Sequence, residues 1–137
     1  MSGLRESEVD RPEVVIEVTA AFDAYERALM SNDVETLNDF FRDARATVRF
    51  GVREELYGWQ SVAEYRRGRP PAPSRQLSRT QITTFGRDFA VAITEYLEDG
   101  APQHGRQSQT WVRTEGGWRI VHAHVSLQPL PGSTEQI

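Results

Sequence analysis

The stretch Gly105–Leu127, GRQSQTWVRTEGGWRIVHAHVSL, decides the fold. It reads as two strands rich in Trp, Val, Ile and Thr, joined at Glu115-Gly116-Gly117, residues that tolerate the positive φ of a tight turn. The second strand has period two. Trp118, Ile120, His122, His124 and Ser126 share one face, and Arg119, Val121, Ala123, Val125 and Leu127 share the other. Both faces are largely apolar. Such a strand is expected to be covered on both sides, by its own helices and by a second subunit. His122, His124 and Ser126 then lie among apolar residues and need partners, either as satisfied core groups or as part of a site.

Upstream, Arg75–Phe85 and Phe89–Leu97 alternate in the same way around Gly86-Arg87-Asp88, and a loop from Glu98 to Gly105 leads into the hairpin. The C-terminal half is therefore a four-strand antiparallel meander. Before it, Arg69-Pro70-Pro71-Ala72-Pro73 is an extended connector that cannot be helical. Trp59–Arg67 reads as a short helix ended by Gly68, and Glu54–Tyr57 as a short strand. Ala46–Val52 reads as a strand with Val48, Phe50 and Val52 on one side and Thr47 and Arg49 on the other. An arginine inside so apolar a strand needs a partner, because an unpaired buried charge is costly. It is an ion-pair member, a site group or a residue on an exposed edge.

At the N-terminus, residues 1–9 read as a loose tail. Asp10 reads as the cap of a long helix with Pro12 in its first turn. Val14, Val15, Val18, Ala21, Phe22, Tyr25, Ala28 and Leu29 recur at helical spacing to about Met30. Tyr25 lies on that apolar stripe, where its hydroxyl wants a partner. Asp33 caps a shorter helix carrying Val34, Leu37, Phe40 and Phe41. Helices first and strands after give an α+β domain over residues 10–130, its helices on one face of a curved, mainly antiparallel sheet, with a tail at 131–137.

Composition excludes several function classes. With no cysteine, disulfides, thiolate catalysis and zinc–thiolate sites are impossible. All 16 basic residues are arginine, so Schiff-base chemistry and a lysine base are impossible too. Any buried cation is a guanidinium, suited to gripping carboxylates. A net charge of -4 argues against nucleic acid as partner. No apolar run reaches the roughly 20 residues of a membrane helix, and the N-terminus lacks a signal core, so a cytoplasmic location is expected.

The order of elements and the ending W-R-I-V-H-x-H-x-S resemble the nuclear transport factor 2-like superfamily, a cone-shaped α+β fold that includes ketosteroid isomerases and SnoaL-type cyclases. A closer resemblance covers nearly the whole chain. TAAFDAYERALMSNDVETLNDFF, RATVRFGVREELYG, RRGRP, ITTFGRDFA, GRQSQTWVR and GWRIVHAHVS follow in order, as in the oxalurate-catabolism protein family. That resemblance implies a homodimer with a small polar pocket between sheet and helices. In a related branch it implies hydrolysis of a carboxylated urea by a helix tyrosine and a strand arginine. Matched block by block, these are Tyr25 and Arg49. His122 stands where a small residue is usual, which is expected to narrow the pocket.

Read for chemistry, Arg49 offers a forked donor for a carboxylate, with Arg69 and Arg79 as second clamps. Gln109 and Ser126 offer neutral donors for a urea carbonyl. Tyr25 would move the proton, with a nearby guanidinium favouring its phenolate, and His124 is the alternative shuttle. His122 and His124 alone make a poor metal site, so neither metal nor cofactor is expected. The substrate class is a small dicarboxylate or ureide, cleaved at a C–N amide bond. The competing reading is a binding or accessory module for a larger amidohydrolase, since fold does not fix function. An isomerase or dehydratase on a hydrophobic ring fits less well, because no Asp lies on an expected inward strand face. For assembly, Val121, Ala123, Val125 and Leu127, with Thr110 and Val112, are expected to form an outer apolar patch that packs against its copy.

Overall fold

The computed structural model describes residues 3–100 and 103–130. The expected tail at 131–137 and part of the Glu98–Gly105 loop lie outside the described residues. Helix α1 spans Pro12–Met30, α2 Val34–Asp39 and α3 Trp59–Arg67; strands β1 and β2 are Val48–Phe50 and Glu55–Tyr57. The meander is β3 Arg75–Phe85, β4 Phe89–Glu98, β5 Gln103–Thr114 and β6 Gly117–Pro129. Together the strands form one open, mixed six-stranded sheet in the order β2-β1-β6-β5-β4-β3, antiparallel except where β1 runs parallel to β6. No helix among the described residues is long and apolar enough to cross a membrane.

All three helices lie on one face of the sheet. The stripe on α1, Val14, Val18, Phe22, Tyr25, Ala28 and Leu29, is buried against Ala90 and Ala92 of β4, Trp111 of β5, and Trp118, Ile120 and Ala123 of β6. Small residues on β4 let the helix approach the sheet closely, and large ones on the neighbouring strands fill the flanks. Each tryptophan N–H in this layer has an acceptor: Trp59 bonds Asn38 O, Trp111 bonds Gln109 Oε1, and Trp118 bonds Glu17 Oε1.

Two expectations at the N-terminus change. Asp10 does not cap α1; its carboxylate accepts from Thr84 N and its own N–H donates to Thr84 O. Arg11 stands at the cap position, with Pro12 opening the helix. Residues Glu6–Glu8 form a 3-10 turn rather than part of a loose tail, and Val9 pairs with Phe85 as a short extra rung on the sheet edge. Asp33 caps α2 as expected, accepting from Thr36 N at 3.3 Å.

The feature that positions the site is a pair of β-bulges. In β6, Thr110 pairs with His122 but Trp111 pairs with Ile120, so Val121 is an extra residue. In β3, Leu77 pairs with Tyr96 but Arg79 pairs with Glu95, so Ser78 is extra. One extra residue flips the side-chain alternation beyond it. Trp118 and Ile120 face the helices, but so do Ala123, Val125 and Leu127. His122, His124 and Ser126 turn to the outer face. The expected outer patch is corrected accordingly: Ala123, Val125 and Leu127 belong to the concave side.

Candidate functional site

A cavity of about 490 Å³ opens between the concave face of the sheet and helices α1 and α3. Its floor is the inner face of β5 and β6, with Gln103, Gln107, Gln109, Ala123, Val125 and Leu127. Its walls are Tyr25 and Leu29 of α1, Tyr65 and Arg66 of α3, and Arg49 of β1. The Val52–Glu54 turn, the 69–73 connector, Arg75, Tyr96 and Glu98 close the remaining sides. Among the described residues the wall is strongly cationic: five arginines, Arg49, Arg53, Arg66, Arg69 and Arg75, face two carboxylates, Glu54 and Glu98. An anion is the ligand such a surface favours.

Tyr25 sits near the C-terminal end of α1, 3% exposed, its ring edge-on to Phe40 and Phe41 at 6.0 and 6.2 Å. This aromatic packing fixes the ring and leaves the hydroxyl as its polar tip in the cavity. Arg66 Nη2 donates to that hydroxyl across 3.4 Å. The guanidinium comes from the run Arg66, Arg67 and Arg69, which helix α3 divides. Arg67 turns outward to Glu35, Arg66 turns to Tyr25, and Arg69 stacks on the Tyr65 ring at 5.0 Å.

Arg49 points inward from β1 because it is paired beside Ala123 of β6 on the concave face. Its Nη1 donates to Glu54 Oε2 at 2.8 Å, with side chains only 12% and 16% exposed. Glu54 lies on the turn that returns β1 into β2, where Gly51 N bonds Glu54 O and Arg53 N bonds Glu54 Oε1. Burial alone would raise the Glu54 carboxyl; hydrogen bonds from Arg49 and Tyr65, with the Arg49 charge, outweigh it and hold the group below its ordinary value. Burial and the same bond to Glu54 push the Tyr65 hydroxyl up, against the pull of Arg69.

Arg75 forms the second charged centre. Its Nε and Nη2 grip both oxygens of Glu26 on α1 at 2.8 and 2.7 Å, a bidentate fork. The same Nη2 reaches Gln107 Oε1 at 3.4 Å, and the guanidinium lies 4.2 Å from the Tyr96 ring centroid. The Tyr96 ring in turn occupies the space beside Gly105, where a Cβ would overlap it. Burial pushes the Tyr96 hydroxyl up, partly offset by the Arg75 charge.

Of the residues expected from the sequence, Tyr25, Arg49, Arg69 and Gln109 line this cavity. Gln109 is 1% exposed and its Oε1 accepts from Trp111 Nε1, which leaves the amide nitrogen as the donor. Three others are corrected. Arg79 is exposed on the outer face beside Glu95, turned there by the bulge at Ser78. His124 is exposed on the same face, edge-on to Phe50 at 5.6 Å, and Ser126 Oγ accepts from Arg106 Nε at 3.1 Å. His122 lies beside Phe50 as well and does not narrow the pocket. The sequence reading missed Glu54, Arg66, Arg75 and Tyr96. The signals present were an acid five residues after Arg49 and an arginine opening β3 at the same parity as Leu77. Among the described residues no group of three or more His, Cys, Asp or Glu side chains converges as metal ligands would.

Comparison with known proteins gives a consistent result. A family model described as AtzH-like matches residues 7–130. A crystal structure of a protein of unknown function from the DUF3225 family of Pectobacterium atrosepticum is 47% identical. It superposes with a TM-score of 0.90 over 92% of this chain and 99% of that one. A cystatin-like fold protein from Burkholderia xenovorans is 45% identical, with a TM-score of 0.88 over 94% and 100% of the two chains. A nuclear transport factor 2-like superfamily protein from Salmonella enterica serovar Typhimurium is 26% identical, with a TM-score of 0.71 over 91% and 98%. Among curated proteins nothing matches. The fold is thus the nuclear transport factor 2-like, cystatin-like α+β fold.

Proposed function

This chain belongs to the AtzH-like family, and from that premise we propose that it hydrolyses a C–N bond in a small carboxylated urea, using the cavity's own side chains. One observation carries this reading. The cavity sets the buried Tyr25 hydroxyl against a guanidinium, within a wall of five arginines. Among the described residues its lining contains no Ser, Thr, Cys, His or Lys.

Such a lining suits a bond that breaks when its nitrogen is protonated. In an N-carboxylated urea, guanidiniums hold the carboxylate and the urea carbonyl, Arg49 among them. Tyr25 gives its proton to the nitrogen, and the electron pair of the N–carboxylate bond goes to that nitrogen. Carbon dioxide leaves and takes up water as bicarbonate, and Tyr25 regains a proton from solvent. The net change is hydrolysis to bicarbonate and the shorter urea. Arg66, bonded to the Tyr25 oxygen, stabilises the phenolate formed in passing.

The test is to give purified, chelator-treated protein a freshly prepared N-carboxylated urea, with oxalurate alongside, and to follow bicarbonate and the shorter urea. Turnover by the isolated protein supports the reading. A rise in melting temperature with no product would replace it with a ligand-binding module that serves a partner amidohydrolase.

We propose further that the chain works as a two-fold homodimer in the cytoplasm. The outer face of β4 exposes Phe89, Ile93 and Leu97 at 41%, 48% and 40%. Three large apolar side chains exposed on one strand face suit an interface better than open solvent. A second copy, meeting it through the same face, would cover it.

A further inference from the structure

The cavity is rich in donors and poor in acceptors, and that imbalance singles out one residue. The carbonyl oxygens of Gln107 and Gln109 are already engaged, by Arg75 and Trp111. Of the two carboxylates in the lining, Glu98 ends β4 and bonds no side chain among the described residues. Glu54 is pinned: Arg49 Nη1 holds Oε2 at 2.8 Å, Arg53 N holds Oε1 at 3.2 Å, and the Tyr65 hydroxyl donates to the same carboxylate, which leaves one of its roughly four acceptor sites open to a ligand. Gly51 completes the seat, since a Cβ there would overlap the Glu54 carboxylate.

From this arrangement, and resting on the ureide reading above, we infer that Glu54 is the specificity-determining residue: a resident carboxylate that admits anions carrying an N–H near their own carboxylate and repels plain carboxylates. Only Nη1 of Arg49 is engaged among the described residues, so a ligand carboxylate can take the rest of the guanidinium. It then lies next to Glu54. Two carboxylates around one guanidinium repel each other in a partly desolvated wall. A ligand N–H offered to Glu54 turns that repulsion into a charge-assisted hydrogen bond, while a CH2 in its place leaves the repulsion uncompensated.

Hydantoate and succinamate test this, because they are the same anion with one N–H exchanged for CH2. Calorimetric titration of the wild-type protein should show hydantoate binding at least about tenfold more tightly, the size of one hydrogen bond to a charged group. In Glu54→Ala the preference should fall to within about twofold, with succinamate binding more tightly than it does to wild type. Gly51→Ala keeps every cavity side chain and only displaces the carboxylate; Gly51 has no positive φ, so alanine fits its backbone. It should shift the preference in the same direction, with both variants melting cooperatively. The inference fails if the wild type binds neither anion or binds both alike, or if both variants keep the wild-type preference. Absent turnover of a carboxylated urea with the preference intact would instead sink the hydrolase reading and leave this one standing.

Discussion

Arg75 holds Glu26 through both arms of its guanidinium, at 2.8 and 2.7 Å, and so ties the first residue of β3 to the C-terminal part of α1. The Arg75 side chain is 6% exposed and that of Glu26 16%, so neither charge has water to fall back on. Removing one partner leaves the other uncompensated. Arg75→Met or Glu26→Gln should each lower stability by about 3 kcal/mol, while the double replacement Arg75→Met with Glu26→Leu recovers part of the loss. Urea midpoints of the three variants check this, and additive losses would show that the pair is not coupled.

Tyr25→Phe removes one long hydrogen bond and leaves the ring packing, so the melting temperature should barely move. Turnover of a carboxylated urea should fall at least about a hundredfold, as for loss of an acid–base group. Unchanged bicarbonate release would remove Tyr25 from the chemistry.

Gly105 is needed because the Tyr96 ring occupies the space of its missing side chain. Gly105→Val should cost about 1–3 kcal/mol by overpacking. Combining it with Tyr96→Ala should return much of that. A Gly105→Val protein as stable as wild type in chemical denaturation would show that the ring has somewhere else to go.

The Glu54 carboxyl, held below its ordinary value of 4.5, makes a pH-dependent contribution. The folded protein releases this proton at a pH where the unfolded chain still keeps it. The stabilisation is therefore complete above that ordinary value and is lost as pH falls through the lower folded one. Measured against Glu54→Gln across a pH series, the stability difference should be constant near neutrality and shrink in acid. A difference that grows on acidification would reverse the sign and refute the pairing.

For assembly, Ile93→Glu should give monomers or insoluble protein, since a carboxylate without a partner is poorly tolerated in a closed interface. Val125→Glu should leave assembly alone and fill the cavity instead. Light scattering of the wild type at a mass of one chain would rule out the dimer.

Much of the fold was legible because the helical stripe on α1 and the alternation in the meander are strong periodic signals. Helix α3 begins and ends at the expected residues, and Tyr25 and Arg49 stood out as polar groups inside apolar elements. What failed was facing. Arg79, His124 and Ser126 all lie beyond a bulge, and an extra residue leaves no mark on the alternation itself, because Val121 and Ser78 are ordinary strand residues. Glu26, the partner of Arg75 from 49 residues away, was hidden for a different reason. Salt bridges within the site join elements through the sheet's shape, which residue spacing does not encode.

The bulge at Val121 also makes the floor of the cavity a matter of pairing rather than of composition. Were Val121 drawn into regular pairing, alternation would run unbroken from Trp118 to Leu127. His122, His124 and Ser126 would then turn inward in place of Ala123, Val125 and Leu127. The same residues thus spell an apolar floor and an imidazole-bearing one, and a single irregularity in the ladder selects between them. Deleting Val121 would change neither, because its neighbours on β5 already pass over it.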